Sequence, residues 1–207
     1  MKPFIALLLV FAAFFSACEK DPEVITKTVV ETDTLYITQH DTVLLHITDT
    51  VTLTQFVNDT ATIYILLRHA ETTGSGSDPA LSTEGIERSG ELVRILKNVS
   101  INAVFSTNFN RTRQTAQAVA DDKGLGNQTY DPLNQSPFID ATLDNYKGGA
   151  VLVVGHSNTI PSFLNLLVGS NTYPQIPDTQ YDNLYIVSML EKGRAKVVHL
   201  KYGKATP

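Results

Sequence analysis

Residues 63–72 read IYILLRHAET, an apolar run that ends in an arginine and a histidine. A short apolar run of this kind is typical of a strand that is buried on both faces of a sheet. Residues 150–156 repeat the pattern, since the run AVLVVG precedes His156. Open α/β sheets build their binding sites at the carboxyl ends of such strands. We therefore expect Arg68, His69 and His156 to line one pocket of an enzyme.

Strand-like and helix-like segments alternate from Thr62 to the end of the chain. Periodicity and capping residues predict helices over residues 84–98, 110–121 and 159–168. Apolar runs predict strands over residues 63–67, 103–106, 151–154, 184–189 and 195–202, the last two joined as a hairpin at Lys192-Gly193. This order predicts a three-layer α/β/α sandwich with a mostly parallel central sheet, formed by one domain over residues 61–207.

Residues 1–17 have the features of a secretory signal, with Lys2, an apolar run and small residues before Cys18. The apolar run is too short to span a bilayer. The junction resembles the lipobox of bacterial lipoproteins, which implies that Cys18 becomes an acylated N-terminus. An ordinary signal peptide with an incidental cysteine is the alternative.

Residues 18–60 are rich in Thr, Val and Asp and repeat an Asp-Thr pair at residues 33, 41 and 49. The β-branched content favours an extended conformation, and no glycine turn separates the repeats. We expect a spacer between the lipid anchor and the domain, with pairing to another chain as the alternative. His40 and His46 lie in this segment without further ligand-type neighbours, so no metal site is predicted.

The overall charge balance argues against nucleic-acid binding. The chain has 16 basic and 21 acidic residues, a net charge of −5. A protein that binds nucleic acid usually carries a basic surface. Any anionic ligand must therefore be held by local groups.

Four motifs resemble those of the histidine phosphatase superfamily, the phosphoglycerate mutase-like group, and most closely its short bacterial members. They are LRHAET at residues 67–72, LSTEG at 81–85, FSTNFNRTRQTA at 105–116 and VVGHSNT at 153–159. A single motif would be a weak signal, whereas four in the right order are specific. The resemblance spans residues 63–202.

The resemblance implies a role for each strand-end residue. His69 is the implied nucleophile of a phosphohistidine intermediate, and Arg68, Arg111 and His156 are the implied phosphate ligands, with no metal or cofactor. Arginine provides a permanently charged planar fork that suits a phosphate. His69 must present an unprotonated ring nitrogen, so its other nitrogen must donate to a fixed acceptor such as a backbone carbonyl.

Alternatives remain at two positions. Arg113 is the alternative to Arg111 at the second arginine motif. Ser157 and Asn158 follow His156, and we expect them to contact substrate. A serine nucleophile at Ser157 would need a glycine two residues before and two after it, and the second is absent because residue 159 is Thr.

The general acid is the main departure from the family pattern. No carboxylic acid follows His156 directly, and the candidates are Asp140, Asp182 and Glu71, together with Asp131 and Asp144. Each could instead be a turn or capping residue. Without a strong acid, we expect substrates with good leaving groups, such as a phosphohistidine or an acyl phosphate.

The sequence as a whole predicts a membrane-anchored phosphatase in the cell envelope of a bacterium, at the outer membrane or the periplasmic face of the inner membrane. Its partner would be a phosphorylated small molecule or a phosphoprotein. Mutase action is not expected, because no long insertion could form a lid over a bisphosphate. A catalytically weak phosphate-binding or scaffolding module of the same fold is the alternative.

Overall fold

The structure is a computed structural model that describes residues 61–74 and 76–207 in full and, before them, the backbone of four strands. The chain divides into two compact units, one up to Asp59 and one from Thr60 onward. The predicted signal segment, Cys18, His40 and His46 lie outside the described residues. Within the described part, no helix combines the length and apolar character needed to cross a bilayer.

The first unit contains strands β1 (Glu23–Val30), β2 (Leu35–Ile37), β3 (Val43–Leu45) and β4 (Thr50–Val57). β1 pairs antiparallel with β4, and β2 pairs antiparallel with β3. The extended conformation agrees with the β-branched composition. This pairing was not predicted from the sequence, because no glycine turn separates the repeats. Both pairs follow one register, because the paired residues in each are centred on the same position of the chain.

The second unit is built on a mixed six-stranded sheet, as its alternating pattern predicts. The strands are β5 (Thr62–Arg68), β6 (Ala103–Ser106), β7 (Asn127–Thr129), β8 (Ala150–Gly155), β9 (Asn183–Glu191) and β10 (Arg194–Lys201). Their spatial order is β10-β9-β5-β8-β6-β7. β5, β8, β6 and β7 pair in parallel, whereas β9 runs antiparallel to β5 and forms a hairpin with β10.

Two helical layers cover the sheet, which confirms the three-layer sandwich. The helices are α1 (Thr83–Ile95), α2 (Asn110–Lys123), α3 (Gln135–Asn145) and α4 (Thr159–Val168). Successive side chains of a strand point to opposite faces. Tyr64 and Leu66 of β5 pack in one core cluster with residues of α3 and α4. Ile65 and Leu67 pack in the other with residues of α1 and α2.

Helix ends follow local chemistry. The Ser82 hydroxyl accepts a hydrogen bond from the Gly85 N–H at 3.3 Å and caps α1. α2 and α4 end at Gly124 and Gly169, whose φ angles of 65° and 72° suit glycine. α3 and β7 escaped prediction because their apolar patterns are weak, and the buried residues of α3 are Gln135, Ile139 and Thr142.

The parallel pairing brings three strand ends together. Arg68 lies opposite Gly155 in the β5–β8 pair, and Ser106 lies opposite Val154 in the β6–β8 pair. The His69 N–H donates to the Gly155 carbonyl at 2.9 Å. The residues that directly follow β5, β6 and β8 therefore lie side by side at the carboxyl ends of these parallel strands.

Candidate active site

His69 is a buried residue with a defined ring tautomer. Its side-chain Nδ1 lies 2.8 Å from the carbonyl oxygen of Ala70. A carbonyl oxygen can only accept, so Nδ1 carries the proton and Nε2 carries a free lone pair. This arrangement is what a histidine nucleophile requires.

The surroundings of His69 keep the ring neutral. Burial lowers its pKa to about 3, the hydrogen bond to Ala70 opposes that shift, and the charge of Arg68 adds to it. The ring is therefore uncharged at neutral pH, with its single proton on Nδ1.

His156 lies beside His69 with the opposite tautomer. The two ring centroids are 5.5 Å apart. His156 Nδ1 lies 3.4 Å from Nη2 of Arg111, and its Nε2 lies 2.8 Å from the Thr107 hydroxyl. A guanidinium group has only donors, so Nδ1 accepts and Nε2 carries the proton.

His156 is also neutral in this structure. Burial lowers its pKa to about 4, and the positive charges of Arg111 and Arg68 contribute to the shift. A protonated His156 therefore requires an anion in the site that offsets these effects.

Arg68 is a buried residue whose Nε has no hydrogen-bond partner among the described residues. Its Nη1 donates to the carbonyls of Pro177, Asp178 and Gln180 at 3.1, 2.8 and 3.1 Å. Its guanidinium carbon lies 4.2 Å from the ring centroid of Tyr181. Among the described residues, nothing accepts a hydrogen bond from its buried Nε. Leaving a buried donor unpaired is costly, so this N–H marks a place for an acceptor from a ligand.

Arg111 reaches the cluster from the first turn of α2. Besides His156, its guanidinium approaches the Asp78 carboxylate at 3.5 Å and the Phe109 ring, whose centroid lies 4.6 Å from Cζ. Arg113 instead lies exposed, with Nη1 at 3.4 Å from Asn108. The structure thus brings Arg68, His69, Arg111 and His156 together.

Glu71, a candidate general acid, is engaged elsewhere. Its carboxylate accepts from Nε and Nη2 of Arg88 at distances of 2.7 to 3.0 Å. Arg88 also donates to the carbonyls of Tyr202 and Lys204. Both side chains are largely buried, so this ion pair ties β5 and α1 to the C-terminal segment.

Asp182 is near the edge of the site but turned toward the C-terminus. It accepts from Lys201 Nζ at 2.9 Å and from the Thr206 N–H at 3.3 Å. Burial alone would raise the pKa of Asp182, but these hydrogen bonds hold it below the usual value of a carboxyl. An ionised carboxylate in this setting is a poor proton donor.

The other candidate acids also lie outside the cluster. Asp140 forms a salt bridge of 2.6 Å with Lys192, in the turn that follows β9. The end of β9 pairs with the start of β5, whereas His69 follows the end of β5. This contact therefore lies at the opposite end of the strands from His69. Asp131 accepts from the Leu133 N–H at 2.9 Å, and Asp144 is exposed on α3.

The two residues after His156 have different surroundings. Ser157 is half-buried, and its carbonyl accepts from the Ile176 N–H at 2.9 Å. Asn158 is exposed and lines, with Asn165 and Tyr173, a cleft of about 660 Å³ beside α4. Asn158 is two residues after His156 in the chain, and the lining of the cleft combines amide and hydroxyl groups with apolar surface.

Several residues at the site were missed from the sequence. Thr107 follows β6, so the strand-end argument used for His69 could have found it. Asp78, Asp178 and Tyr181 come from loops, where no periodic pattern marks a functional position. Within the part of the chain that the structure describes, no three His, Cys, Asp or Glu side chains are grouped as metal ligands would be.

The chain shares motifs and fold with known proteins. The model of the histidine phosphatase superfamily, branch 1, matches residues 64–135. A mycobacterial glucosyl-3-phosphoglycerate phosphatase has 14% identity and a TM-score of 0.60, with 69% of this chain and 100% of that chain covered. No curated protein matches the chain.

Two further solved structures have the same fold. The protein histidine phosphatase SixA, solved with tungstate, has 20% identity and a TM-score of 0.55, with 67% of this chain and 96% of that chain covered. The YhfR protein of Bacillus stearothermophilus has 16% identity and a TM-score of 0.56, with 67% and 96% covered. The match over residues 64–135 shows similarity to the histidine phosphatase superfamily, and the solved structures show a common fold.

Proposed function

We propose that this protein is a phosphatase that passes the phosphoryl group of its substrate through His69. The observation that carries the proposal is the unprotonated Nε2 of His69 beside the buried, unpartnered Nε of Arg68. A nucleophile and an unsatisfied cationic donor are the two groups that phosphoryl transfer demands.

In the first step, His69 Nε2 attacks phosphorus in line with the leaving group. The N–P bond forms as the bond from phosphorus to the leaving group breaks, and the leaving group departs with the electron pair. Arg68 and Arg111 offset the charge on the phosphoryl oxygens. The Nδ1–H of His69 keeps its hydrogen bond to Ala70 throughout, which preserves the ring orientation.

In the second step, water attacks phosphorus, and the N–P bond breaks. The bonding pair returns to His69 Nε2, one proton of the water moves to a phosphoryl oxygen, and inorganic phosphate leaves as H2PO4−. The ring is then in its starting tautomer, so the enzyme is regenerated. No oxidation state changes in either step.

His156 assists phosphate binding when its ring is protonated. A phosphate dianion between the arginines and His156 offsets the positive charges that lower its pKa, so binding favours the protonated ring. The proton arrives on Nδ1, the nitrogen that faces Arg111. His156 then becomes a third donor to the phosphoryl group.

The leaving group defines the substrate class. Glu71, Asp140 and Asp182 are all bound to basic residues, so none is free to donate a proton. Acyl phosphates and phosphohistidine have leaving groups that depart with less assistance than an alkoxide. This supports a substrate of one of these two kinds over an ordinary phosphomonoester. One solved structure of the same fold is a protein histidine phosphatase, which agrees with the second kind.

The test is single-turnover labelling with radioactive acetyl phosphate. Wild-type protein should gain acid-labile, base-stable phosphate, and His69→Ala should gain none. Arg113→Ala, whose side chain is exposed, serves as the matched control and should label normally. Equal labelling of wild type and His69→Ala would contradict the proposal.

A phosphate-binding module without turnover is the second candidate, and the pairing of Glu71, Asp140 and Asp182 with basic residues favours it. Tight orthovanadate binding with no hydrolysis of acetyl phosphate, a phosphohistidine peptide or para-nitrophenyl phosphate would support that candidate. Hydrolysis of any of the three would exclude it.

We further propose that the enzyme is anchored by lipid on Cys18 in the cell envelope. The support is the leader sequence and its junction with Cys18. Expression of the full chain in a bacterium fed a clickable palmitate analogue should label wild type and not Cys18→Ser. The same variant should move from the membrane fraction to the soluble fraction, and unchanged fractionation would contradict the anchor.

A further inference from the structure

Three threonine hydroxyls lie directly behind the two histidines. Thr107 follows β6, and Thr112 and Thr115 belong to α2. All three residues have 0% exposure. We propose that they are positioning residues that set the ring tautomers of His156 and His69; this rests on the proposed function, because only that function needs two opposite tautomers.

On the His156 side, each hydrogen bond fixes the direction of the next. The Thr112 hydroxyl lies 2.8 Å from the Thr107 carbonyl and 2.9 Å from the Phe109 carbonyl. Carbonyls only accept, so these contacts use the one proton of that hydroxyl.

The Thr107 hydroxyl lies 2.9 Å from the Thr112 oxygen and 2.8 Å from His156 Nε2. Since the Thr112 proton is already used, Thr107 donates to Thr112 and must accept from His156. The proton of neutral His156 is therefore held on Nε2.

This direction has a chemical consequence. Nε2 of His156 keeps its proton in both the neutral and the charged ring, so titration occurs only at Nδ1. Nδ1 is the nitrogen that faces Arg111, where the phosphoryl group would lie. Each proton that His156 gains is thus delivered toward the substrate.

On the His69 side, Thr115 fixes the residue whose carbonyl orients the nucleophile. Its hydroxyl donates to the Arg111 carbonyl at 2.7 Å and accepts from the Ala70 N–H at 3.0 Å. Ala70 in turn accepts from His69 Nδ1. Thr115 therefore holds Ala70 against α2 and keeps the Ala70 carbonyl within hydrogen-bond distance of His69 Nδ1.

Helix α2 thus carries the arginine and two of the three threonines. Arg111, Thr112 and Thr115 occupy the first two turns of α2. Threonine is a poor residue for a helix interior, because its hydroxyl competes for backbone groups. A valine would fill the same space without this cost, so the hydroxyls have a role beyond packing.

The experiment measures the histidine tautomers by nitrogen NMR on the full chain labelled with ¹⁵N-histidine. His156 is assigned through His156→Gln, and spectra are taken with and without orthovanadate. Wild type should show protonated Nε2 and a free Nδ1 in the unliganded state. Thr107→Val should weaken this preference, because only the long 3.4 Å contact from Arg111 to Nδ1 then favours it, and Thr107→Ser should restore it.

Activity provides the second readout. For Thr107→Val we expect kcat/KM to fall roughly 10- to 100-fold, a range typical for the loss of a partner that orients a functional histidine. Thr142→Val is the matched control, because Thr142 is a buried threonine of α3 whose hydroxyl is hydrogen-bonded to Tyr64 of β5. It should lose stability but keep both tautomers and the pH dependence of labelling.

The outcomes separate this inference from the proposed function. If Thr107→Val keeps the wild-type His156 tautomer, the positioning role is wrong, whatever the activity. If the tautomers change as expected but wild type neither labels nor hydrolyses any phosphate donor, the proposed function is wrong and the hydrogen-bond direction stands. Should Thr107→Val not fold, Thr112→Val makes the same test, because it frees the Thr107 hydroxyl to rotate.

Discussion

Two buried arginines, Arg68 and Arg88, are paired in opposite ways. Arg88 is 3% exposed, and every nitrogen of its guanidinium donates to Glu71 or to a carbonyl of the C-terminal segment. Arg68 is 6% exposed and contacts neutral carbonyls, while its Nε lacks a partner among the described residues. The nearest carboxylate, Asp178, is 3.9 Å away and 80% exposed.

The difference appears in the pKa of each group. Burial lowers the pKa of both, but the hydrogen bonds and charge of Glu71 reverse the shift at Arg88, whose pKa is raised. At Arg68 burial prevails, and the pKa is lowered. A buried cation that the protein itself neutralises is structural, whereas one left without a close anion is prepared for a ligand anion.

The largest effect should come from Arg68→Met. Removing a preorganised donor to a reacting oxyanion costs about 10²- to 10³-fold in rate, and we expect a loss of labelling rate at the upper end of that range. The unfolding free energy should fall by only about 1 to 3 kcal/mol, because three loop carbonyls lose their donor but no carboxylate loses a close partner. Stopped-flow labelling and urea denaturation check both parts, and a variant that labels at the wild-type rate would remove Arg68 from the site.

Arg88→Met should give the reverse result. It leaves the largely buried Glu71 without its cation, and breaking such a pair typically costs about 3 to 5 kcal/mol of stability. Orthovanadate affinity of the folded fraction should be unchanged. The double variant with Glu71→Gln should recover part of the loss, and an affinity change in the single variant would mean that the two clusters are coupled.

The two histidines of the site should make the stability of the fold depend on pH. The folded pKa values of His69 and His156 are about 3 and about 4, below the ordinary value of 6.5. The unfolded chain therefore binds more protons as the pH falls, so stability is full above about 6.5 and declines toward pH 4. His156→Gln should lose less stability than wild type between pH 7 and pH 4.5 in thermal melts, and an equal loss would contradict the assignment.

The smallest effect should come from Asp178→Asn. This exposed carboxylate competes weakly with a phosphate for Arg68, and exposed pairs contribute roughly 0.2 to 1 kcal/mol. Orthovanadate should therefore bind about two- to fivefold more tightly, as measured by calorimetry. Asp144→Asn, an exposed change on α3, should leave the affinity unchanged. Weaker binding in Asp178→Asn would indicate that the carboxylate assists the ligand instead.

The strand ends of this fold can be predicted from local order in the chain. A buried apolar run followed by polar residues predicts both the sheet and the edge where His69 and His156 lie. α3 was missed for the same reason, since its short polar sequence has few apolar positions at helical spacing. The pairing of β1 with β4 and of β2 with β3 was missed because it depends on register across many residues.

The sequence by itself determined the alternation of strands and helices, and with it which side chains emerge at the carboxyl edge. Only the tertiary structure decided what each polar group is paired with. Glu71 is occupied by Arg88, 17 residues away, and Arg88 also binds the carbonyl of Tyr202, 114 residues away. Local pattern encodes burial and direction, whereas hydrogen-bond partners depend on distances that exist only after the chain has folded.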